Sequence, residues 1–272
     1  MNSAPLITPA QRELYQTEGY MLLPGVIPAA TLTMLREECS YFLGYCDAQM
    51  DARGRQVEDL NNRGKRYFIN NRYRLSPRLW QFIFSPLMAE VAQAALGPNV
   101  YLFHEQWVIK GAEQGMKFAW HQDSGYVTSL GETLPHRPYL TCWCPLDDVR
   151  EANGTVYLLP HSRGGTQQTV FDHTRRSDTN DLVGYDGPDP GDALILPAGS
   201  IAAFTSYNLH RSGANTTSQM RRVYLPQYSS EPIYHLDGRG VALTVPFVKA
   251  GKIIYDHTTD TAEKFGPPPE KP

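Results

Sequence analysis

The chain has 272 residues, and its 25 basic and 28 acidic side chains give a net charge of −3, so no excess of positive charge is available for nucleic acid. Four cysteines are too few for a disulfide scaffold in a chain of this length, and their C-x6-C and C-x-C spacings match no zinc motif. Because the N-terminus lacks signal-peptide features and every apolar stretch is interrupted, we expect a cytoplasmic protein with no membrane partner.

Helical signals dominate the first part of the chain. Thr8 is followed by proline, and Gln11 stands three positions after it, which is the pattern of a capping box at the start of a helix. Ser-Pro and Gly-Pro pairs similarly bound a later helix. The predicted elements of this part are a short helix from residue 9, a strand at 20–23, and helices at about 28–42 and at 87–96.

After Pro98 the pattern changes to strands. The segments are short, rich in β-branched and aromatic residues, and separated by turn residues. Strands are predicted at 100–109, 117–122, 139–144, 155–159, 193–196, 201–205 and 222–228. Because the helices come first and the strands follow, the order favours a mainly β barrel-like fold with helices packed on one face, and not alternating βαβ units.

No linker-like composition divides the chain, so we expect a single domain over 1–257 and a disordered tail over 258–272. Residues 160–191 are polar and rich in turns, which is typical of a long surface loop of the kind found around functional sites. The domain would comprise a helical part, a strand-rich core and a C-terminal extension, at 1–98, about 99–230 and 231–257.

A His-x-Asp pair lies at the end of a predicted strand. Side chains alternate along a strand, so His121 and Asp123 are expected on one face, with Gln122 on the other. An imidazole and a carboxylate so placed supply two ligands of the two-His-one-carboxylate triad of non-haem iron enzymes. A second such pair, at His235 and Asp237, continues into a glycine-rich turn, so we interpret it as part of that turn.

Two later residues complete the pattern. His210 lies on another predicted strand and is a natural third metal ligand. Arg221 follows eleven residues later, and its planar guanidinium suits the far carboxylate of a dicarboxylate that chelates the metal. Ser212 offers a hydroxyl to the same carboxylate.

With these residues in place, the sequence resembles the phytanoyl-CoA dioxygenase-type iron(II)/2-oxoglutarate oxygenases. The resemblance extends from the strand at 20–23 to about Tyr228. No single motif is specific to the family, and the resemblance rests on several motifs that occur in the same order. The matching blocks are Gln106-x3-Lys110, His121-Gln122-Asp123, Trp143 with Leu146-Asp147-Asp148, Asn153-Gly154, Gly191-Asp192, and His210-x-Ser212-Gly213-x-Asn215 with Arg221.

The resemblance implies a double-stranded β-helix, or jelly-roll, core packed by the N-terminal helices. It also implies iron(II), 2-oxoglutarate and O2 as cofactor and co-substrates, and a small molecule as the substrate. The metal would be held by His121, Asp123 and His210. The 2-oxoglutarate site would contain Arg221, Ser212, Trp143, Thr141 and Gln106. Substrate contacts are assigned to Gln122 and Lys110, since Lys110 shares its strand face with Gln106.

The implied activity is hydroxylation of an unactivated C–H bond. In related halogenases a small residue replaces the carboxylate, so Asp123 favours hydroxylation, although desaturation or ring formation uses the same chemistry. Two alternatives remain open: a cupin-like metal-dependent isomerase or lyase that does not use 2-oxoglutarate, and a non-catalytic binding protein. The sequence indicates neither the substrate nor the oligomeric state.

Other polar residues are interpreted as structural. The basic stretch 61–74 fits an anion-binding rim, but we favour a solvated loop whose charges pair with acids such as Glu58 and Asp59. Cys142 and Cys144 are expected to pack on the strand face away from the site. The remaining histidines considered, which lack a partner at strand or helix spacing, are His104, His136, His161 and His173.

Overall fold

Helix caps fix where the N-terminal helices begin. In the computed structural model, which describes residues 6–129, 131 and 133–261, the Thr8 hydroxyl accepts a hydrogen bond from the Gln11 backbone N–H, as the capping box predicts. Ser-Pro pairs start two helices, of which only the second was predicted. The helices are α1 Pro9–Glu18, α2 Ala29–Ala52, α3 Pro77–Ile83, α4 Pro86–Leu96, α5 Asp123–Ser129 and α6 His161–Gly164, with a 3-10 turn at Tyr73–Leu75.

The strands form two antiparallel sheets and one short pair. The large sheet has the order β1-β12-β7-β14-β5-β4-β3-β2 with β15 and β16 beside β5, and the small sheet has the order β11-β8-β13-β6. The strands are β1 Tyr20–Leu23, β2 Val57–Glu58, β3 Asn61–Asn62, β4 Arg66–Asn70, β5 Val100–Lys110, β6 Phe118–His121, β7 Leu140–Pro145, β8 Val156–Leu158, β9 Thr174–Arg175, β10 Leu182–Val183, β11 Asp192–Ala193, β12 Ile201–Thr205, β13 His210–Ser212, β14 Arg221–Ser229, β15 Val245–Lys249 and β16 Lys252–Ile253.

The two sheets pack against each other as a jelly roll, which confirms the predicted fold class. Trp143 and Phe204 of the large sheet contact Val156 and Leu158 of the small sheet in a buried apolar cluster. The opposite face of the large sheet packs under the helices, and Cys142 and Cys144 lie there, as predicted. No helix of the described residues is long and apolar enough to cross a membrane.

Several predicted boundaries were wrong. Helix α2 extends ten residues beyond the predicted end at Phe42, because its apolar face continues to the buried Met50. The stretch 61–74 is not a loop: strands β3 and β4 lie within it, and β4 pairs with β5. Of the strand predicted at 193–196, only the first residue lies in a strand, β11.

The loop 160–191 and the start of the predicted disordered tail both form ion pairs with the rest of the domain. In the loop 160–191, Asp181 is buried and forms an ion pair with Arg66, with a distance of 2.7 Å between Oδ1 and Nη1. Asp260 lies within the predicted disordered tail, yet its carboxylate pairs with Arg74 at 2.7 Å and accepts a hydrogen bond from Tyr73. The remainder of that predicted tail, 262–272, lies outside the described residues.

Candidate metal centre

Two imidazoles and one carboxylate converge on the inner face of the small sheet. His121 and His210 stand directly opposite each other on β6 and β13, and their ring centroids are 4.1 Å apart. Asp123 Oδ1 lies 3.7 Å from His121 Nε2 and 3.6 Å from His210 Nε2. Among the described residues, these three form the one group of histidine, cysteine and acidic side chains whose ligand atoms all lie within 4.8 Å of one another.

The prediction that Asp123 lies on a strand was wrong, although its carboxylate lies beside the His121 imidazole as expected. Strand β6 ends at His121, and Asp123 is the first residue of α5. A change from strand to helix therefore brings the carboxylate beside the imidazoles, where two-residue alternation does not apply.

Backbone carbonyls orient both imidazoles. His121 Nδ1 lies 2.8 Å from Ala119 O, and His210 Nδ1 lies 3.1 Å from Asn208 O. Because a carbonyl only accepts, each Nδ1 carries the proton, which leaves each Nε2 lone pair directed toward Asp123. Both rings are thus in the tautomer that a metal ligand requires.

The protonation states of the site suit a cation. Burial, followed by the neighbouring His121, lowers the pKa of His210 to about 4, so this ring is neutral at physiological pH. Burial alone raises the pKa of Asp123, but His210, His121 and the Thr141 hydroxyl outweigh it and lower this pKa to about 2. The centre therefore offers a neutral His210 nitrogen and an anionic Asp123 oxygen beside the imidazole of His121.

An inner cavity beside the triad ends at the buried guanidinium of Arg221. Arg221 is 1% exposed, and its Nη2 donates to Gly154 O at 2.9 Å. Its Nε and Nη1 have no acceptor in the described part of the chain. Trp143, whose ring centroid is 5.7 Å from the Arg221 guanidinium carbon, lines this cavity with Ser212 and Gln106. Burial lowers the pKa of Arg221 to about 9, which leaves it protonated at neutral pH.

Thr141 and Lys110 have other contacts than the sequence predicted. Thr141 is absent from the inner cavity's lining, and its hydroxyl instead donates to Asp123 Oδ2 at 2.5 Å. Lys110 was assigned to the substrate, but it is buried beside Arg221, and its Nζ donates to two backbone carbonyls, of Met116 and Gly213. Burial, with Arg221 nearby, lowers the pKa of Lys110.

Gln122 was also assigned to the substrate, and the structure contradicts that assignment. The side chain is fully buried, and neither cavity includes it. Its Nε2 donates to Thr169 O and Tyr207 O, and its Oε1 accepts from the Phe171 backbone N–H. Gln122 therefore fastens the 160–191 loop to the barrel.

An outer cavity of about 350 Å³ opens on the other side of His121 and Asp123. Aromatic and uncharged polar groups dominate its walls, and Arg175 is the one guanidinium among its described lining residues. Burial lowers the pKa of His104 to about 4, so that ring is neutral as well. Wall residues that the sequence analysis did not assign include Asn70, Phe103, His104, Tyr126, Tyr139 and Gln227.

The basic stretch 61–74 pairs mostly with acids, but not with those expected. Arg63 pairs with Asp47 and Asp51, while Arg66 and Arg74 pair with Asp181 and Asp260. The prediction of charge pairing was therefore correct in kind, but the prediction of a solvated loop was wrong, because Arg66 and its partner Asp181 are buried.

Comparisons with known proteins agree with this site. The family model for phytanoyl-CoA dioxygenase (PhyH) matches residues 15–223. The ectoine dioxygenase of Bordetella parapertussis is 25% identical over 242 residues, which cover 84% of this chain and 77% of that protein. Human peroxisomal phytanoyl-CoA dioxygenase is 20% identical over 255 residues, which cover 87% of this chain and 72% of that protein.

Solved structures share the fold. EctD from S. alaskensis in its apoform has a TM-score of 0.64 at 20% identity, covering 96% of this chain and 89% of that one. EvdO2 from Micromonospora carbonacea var. aurantiaca, complexed with 2-oxoglutarate, has a TM-score of 0.64 at 23% identity, covering 88% and 97%.

A jelly roll with this His-Asp-His group defines the class of non-haem iron oxygenases. The family match is more specific: the chain belongs to the phytanoyl-CoA dioxygenase family. It is accordingly an iron(II)- and 2-oxoglutarate-dependent dioxygenase, with O2 as the second co-substrate.

Proposed function

We propose that this enzyme hydroxylates an unactivated C–H bond of a small-molecule metabolite and releases succinate and CO2 from 2-oxoglutarate. One observation carries the proposal: Arg221 is buried at the end of the cavity that contains the triad, and two of its nitrogens have no acceptor among the described residues. Leaving a buried donor unpaired costs about 1–3 kcal/mol, and more for a charged group. A bound carboxylate removes that cost through two parallel hydrogen bonds.

The metal would be held by His121 Nε2, Asp123 Oδ1 and His210 Nε2. Two imidazoles and a carboxylate on one face are the ligand set of non-haem iron(II), and the tautomers and charges of these groups fit it. When bound, iron and 2-oxoglutarate together activate O2 for the oxidation. The protein's own residues hold the reactants and orient them.

The co-substrate would lie in the inner cavity. Arg221 binds the distal carboxylate of 2-oxoglutarate, and Ser212 and Gln106 offer further hydrogen bonds from the cavity wall. The Trp143 ring covers one side and excludes water from the ion pair. Lys110 lies beside Arg221 at the same end of the cavity, but its Nζ donates to two backbone carbonyls, so Arg221 is the donor left for the carboxylate.

The substrate would lie in the outer cavity. Its volume of about 350 Å³ is within the range of small-molecule sites, and it borders His121 and Asp123, so a bound molecule has a C–H bond beside the metal. Asp123 occupies the position that is a small residue in the related halogenases, which supports hydroxylation as the outcome.

The proposal is tested with iron(II) and 2-oxoglutarate. We expect a weak visible charge-transfer band under anaerobic conditions and, in air, succinate release that the small-molecule fraction of a cell extract stimulates. The alternative, a cupin-like isomerase or lyase, needs neither 2-oxoglutarate nor Arg221. The absence of both band and succinate, or an Arg221→Ala variant with unchanged activity, would favour that alternative.

A further inference from the structure

The two oxygens of the Asp123 carboxylate have different surroundings. Oδ1 faces the two imidazoles, at 3.7 and 3.6 Å. Oδ2 accepts a hydrogen bond from Thr141 Oγ1 at 2.5 Å and another from Gln227 Nε2 at 3.0 Å. Gln227 Nε2 also donates to Thr141 Oγ1 at 2.9 Å, so the three side chains form a closed triangle.

The direction of each hydrogen bond in this triangle is fixed by proton count. The ionised Asp123 carries no proton, and the single hydroxyl proton of Thr141 is donated to it. The Thr141 oxygen must therefore accept from the amide nitrogen of Gln227, and the two oxygens share one N–H of that amide in a bifurcated hydrogen bond. This assignment places the Gln227 nitrogen, and not its oxygen, against the carboxylate.

Rigid elements support the triangle. Thr141 and Gln227 are direct cross-strand partners on the adjacent central strands β7 and β14. Thr141 is fully buried and Gln227 is 4% exposed, so the bonds to Oδ2 lie beneath the protein surface, next to the outer cavity that Gln227 lines. Asp123, by contrast, lies at the start of α5, where no strand pairing fixes its side chain.

We infer that Thr141 and Gln227 are positioning residues that hold Asp123 Oδ2 away from the metal, so that the carboxylate ligates through Oδ1 alone. The inference rests on the proposed function. A carboxylate that turned and bound through both oxygens would occupy a coordination position that 2-oxoglutarate or O2 requires. The triangle keeps that position open and orients the remaining oxygen toward the point where the two imidazoles meet.

The test is a titration with Co(II), followed by its d–d absorption, on Thr141→Val and Gln227→Met. Both variants keep approximate side-chain size and remove hydrogen bonds to Oδ2. We expect Co(II) affinity to fall about 10–100-fold in each, with an altered band shape, whereas Thr141→Ser keeps its hydroxyl and stays within about threefold of wild type.

Thr155→Val is the matched control. Thr155 is fully buried, and its hydroxyl donates to Leu194 O at 2.5 Å, but it touches no residue of the triad. We expect it to lower the melting temperature without changing the Co(II) affinity or spectrum. A merely structural role for Thr141 predicts equal affinity losses in the two valine variants.

Folded Thr141→Val and Gln227→Met proteins with wild-type Co(II) affinity and spectrum would overturn the inference, as would an equal loss in Thr155→Val. If Thr141→Val does not fold, Gln227→Met decides by the same criterion. Failure of the wild type to bind Co(II) would instead remove the proposed function, and with it the inference.

Discussion

The inner and outer cavities share His121 and Asp123 yet differ in almost every physical property. The inner cavity ends at buried Arg221 and Lys110, which lie opposite each other on adjacent strands β14 and β5. The outer cavity is wider, and aromatic and amide side chains from β4, β5, α5 and β14 form most of its wall, together with one guanidinium, that of Arg175. Under the proposed function, the inner end binds a dianion common to the whole class through Arg221, whereas the outer end binds the substrate mainly through shape and uncharged polar groups.

The largest effect is expected where the cavities meet. Asp123→Ala removes the one anionic ligand atom of the triad, and we expect the variant to bind iron(II) more weakly than the wild type and to release no succinate. Metal analysis after gel filtration and a succinate assay measure the result. A folded Asp123→Ala protein with wild-type iron content and wild-type succinate release would contradict the assignment of this carboxylate.

The second-largest effect is expected for a substitution that alters the inner cavity alone. Arg221→Ala should raise the KM for 2-oxoglutarate by about 30-fold or more, since truncating one partner of a buried charge pair costs about 2–5 kcal/mol. Arg222→Ala is the matched control, because Arg222 is the next residue on β14 but pairs with Asp147. Equal KM values for Arg221→Ala and Arg222→Ala would show that the inner cavity does not select by charge.

A substitution in the outer cavity should reduce turnover of the substrate but leave the binding of 2-oxoglutarate unchanged. Ala242 lines its wall, and Ala242→Phe adds a ring to the space assigned to the substrate. We expect about a tenfold or greater loss of the succinate release that the small-molecule fraction of a cell extract stimulates, while the anaerobic charge-transfer band with iron(II) and 2-oxoglutarate stays intact. Ala242→Ser is the size-matched control. Loss of the band in Ala242→Phe would mean that the two cavities are not separate sites.

On the reverse face of β5, where one carboxyl group is buried without a catalytic task, we expect an effect on stability and none on activity. Burial raises the pKa of Glu105 from 4.5 to about 7, although its Oε1 accepts from the backbone N–H groups of Arg72 and Tyr73. Because the folded-state pKa lies above the unfolded one, this group's contribution to stability is complete below about pH 4.5 and is lost as the pH rises through 7.

Glu105→Gln removes this titration and keeps the side-chain shape. Relative to the variant, the wild-type free energy of unfolding should fall by about 3 kcal/mol between pH 4.5 and pH 8, which corresponds to the shift of about 2.5 pKa units. Urea titrations at several pH values measure the difference. Parallel pH profiles for the two proteins would mean that Glu105 does not titrate in this range.

The sequence predicted more of the residues that line the inner cavity than of those that line the outer cavity. His210 and Arg221 were proposed because their residue types, and their place after the His121–Asp123 pair, suit a third metal ligand and an anchor for a carboxylate. The structure brings His210 beside His121 and buries Arg221 in the inner cavity. Thr141 was assigned to the correct strand face but to the wrong neighbour, since the stagger between β7 and β14 and the turn of α5 decide which group it meets. Neither the stagger between these strands nor the direction of the helix can be predicted from the local sequence pattern.

The missed residues depend on contacts between distant segments. Gln122 looked available for a substrate because its buried partners, at 169–171 and Tyr207, lie far along the chain. His104 was set aside for lack of a local partner, although it is the cross-strand neighbour of Gln227. The register of β5 and β14 would have placed His104 opposite Gln227, but a single sequence does not specify register.

The central claim is that one iron ion binds His121, Asp123 and His210 with 2-oxoglutarate extending from it to Arg221. The most direct measurement is anomalous X-ray diffraction from anaerobic crystals containing iron(II) and 2-oxoglutarate. The account predicts one iron peak bonded to His121 Nε2, Asp123 Oδ1 and His210 Nε2, with the distal carboxylate on the Arg221 guanidinium. An iron peak elsewhere, or 2-oxoglutarate bound away from Arg221, would contradict it.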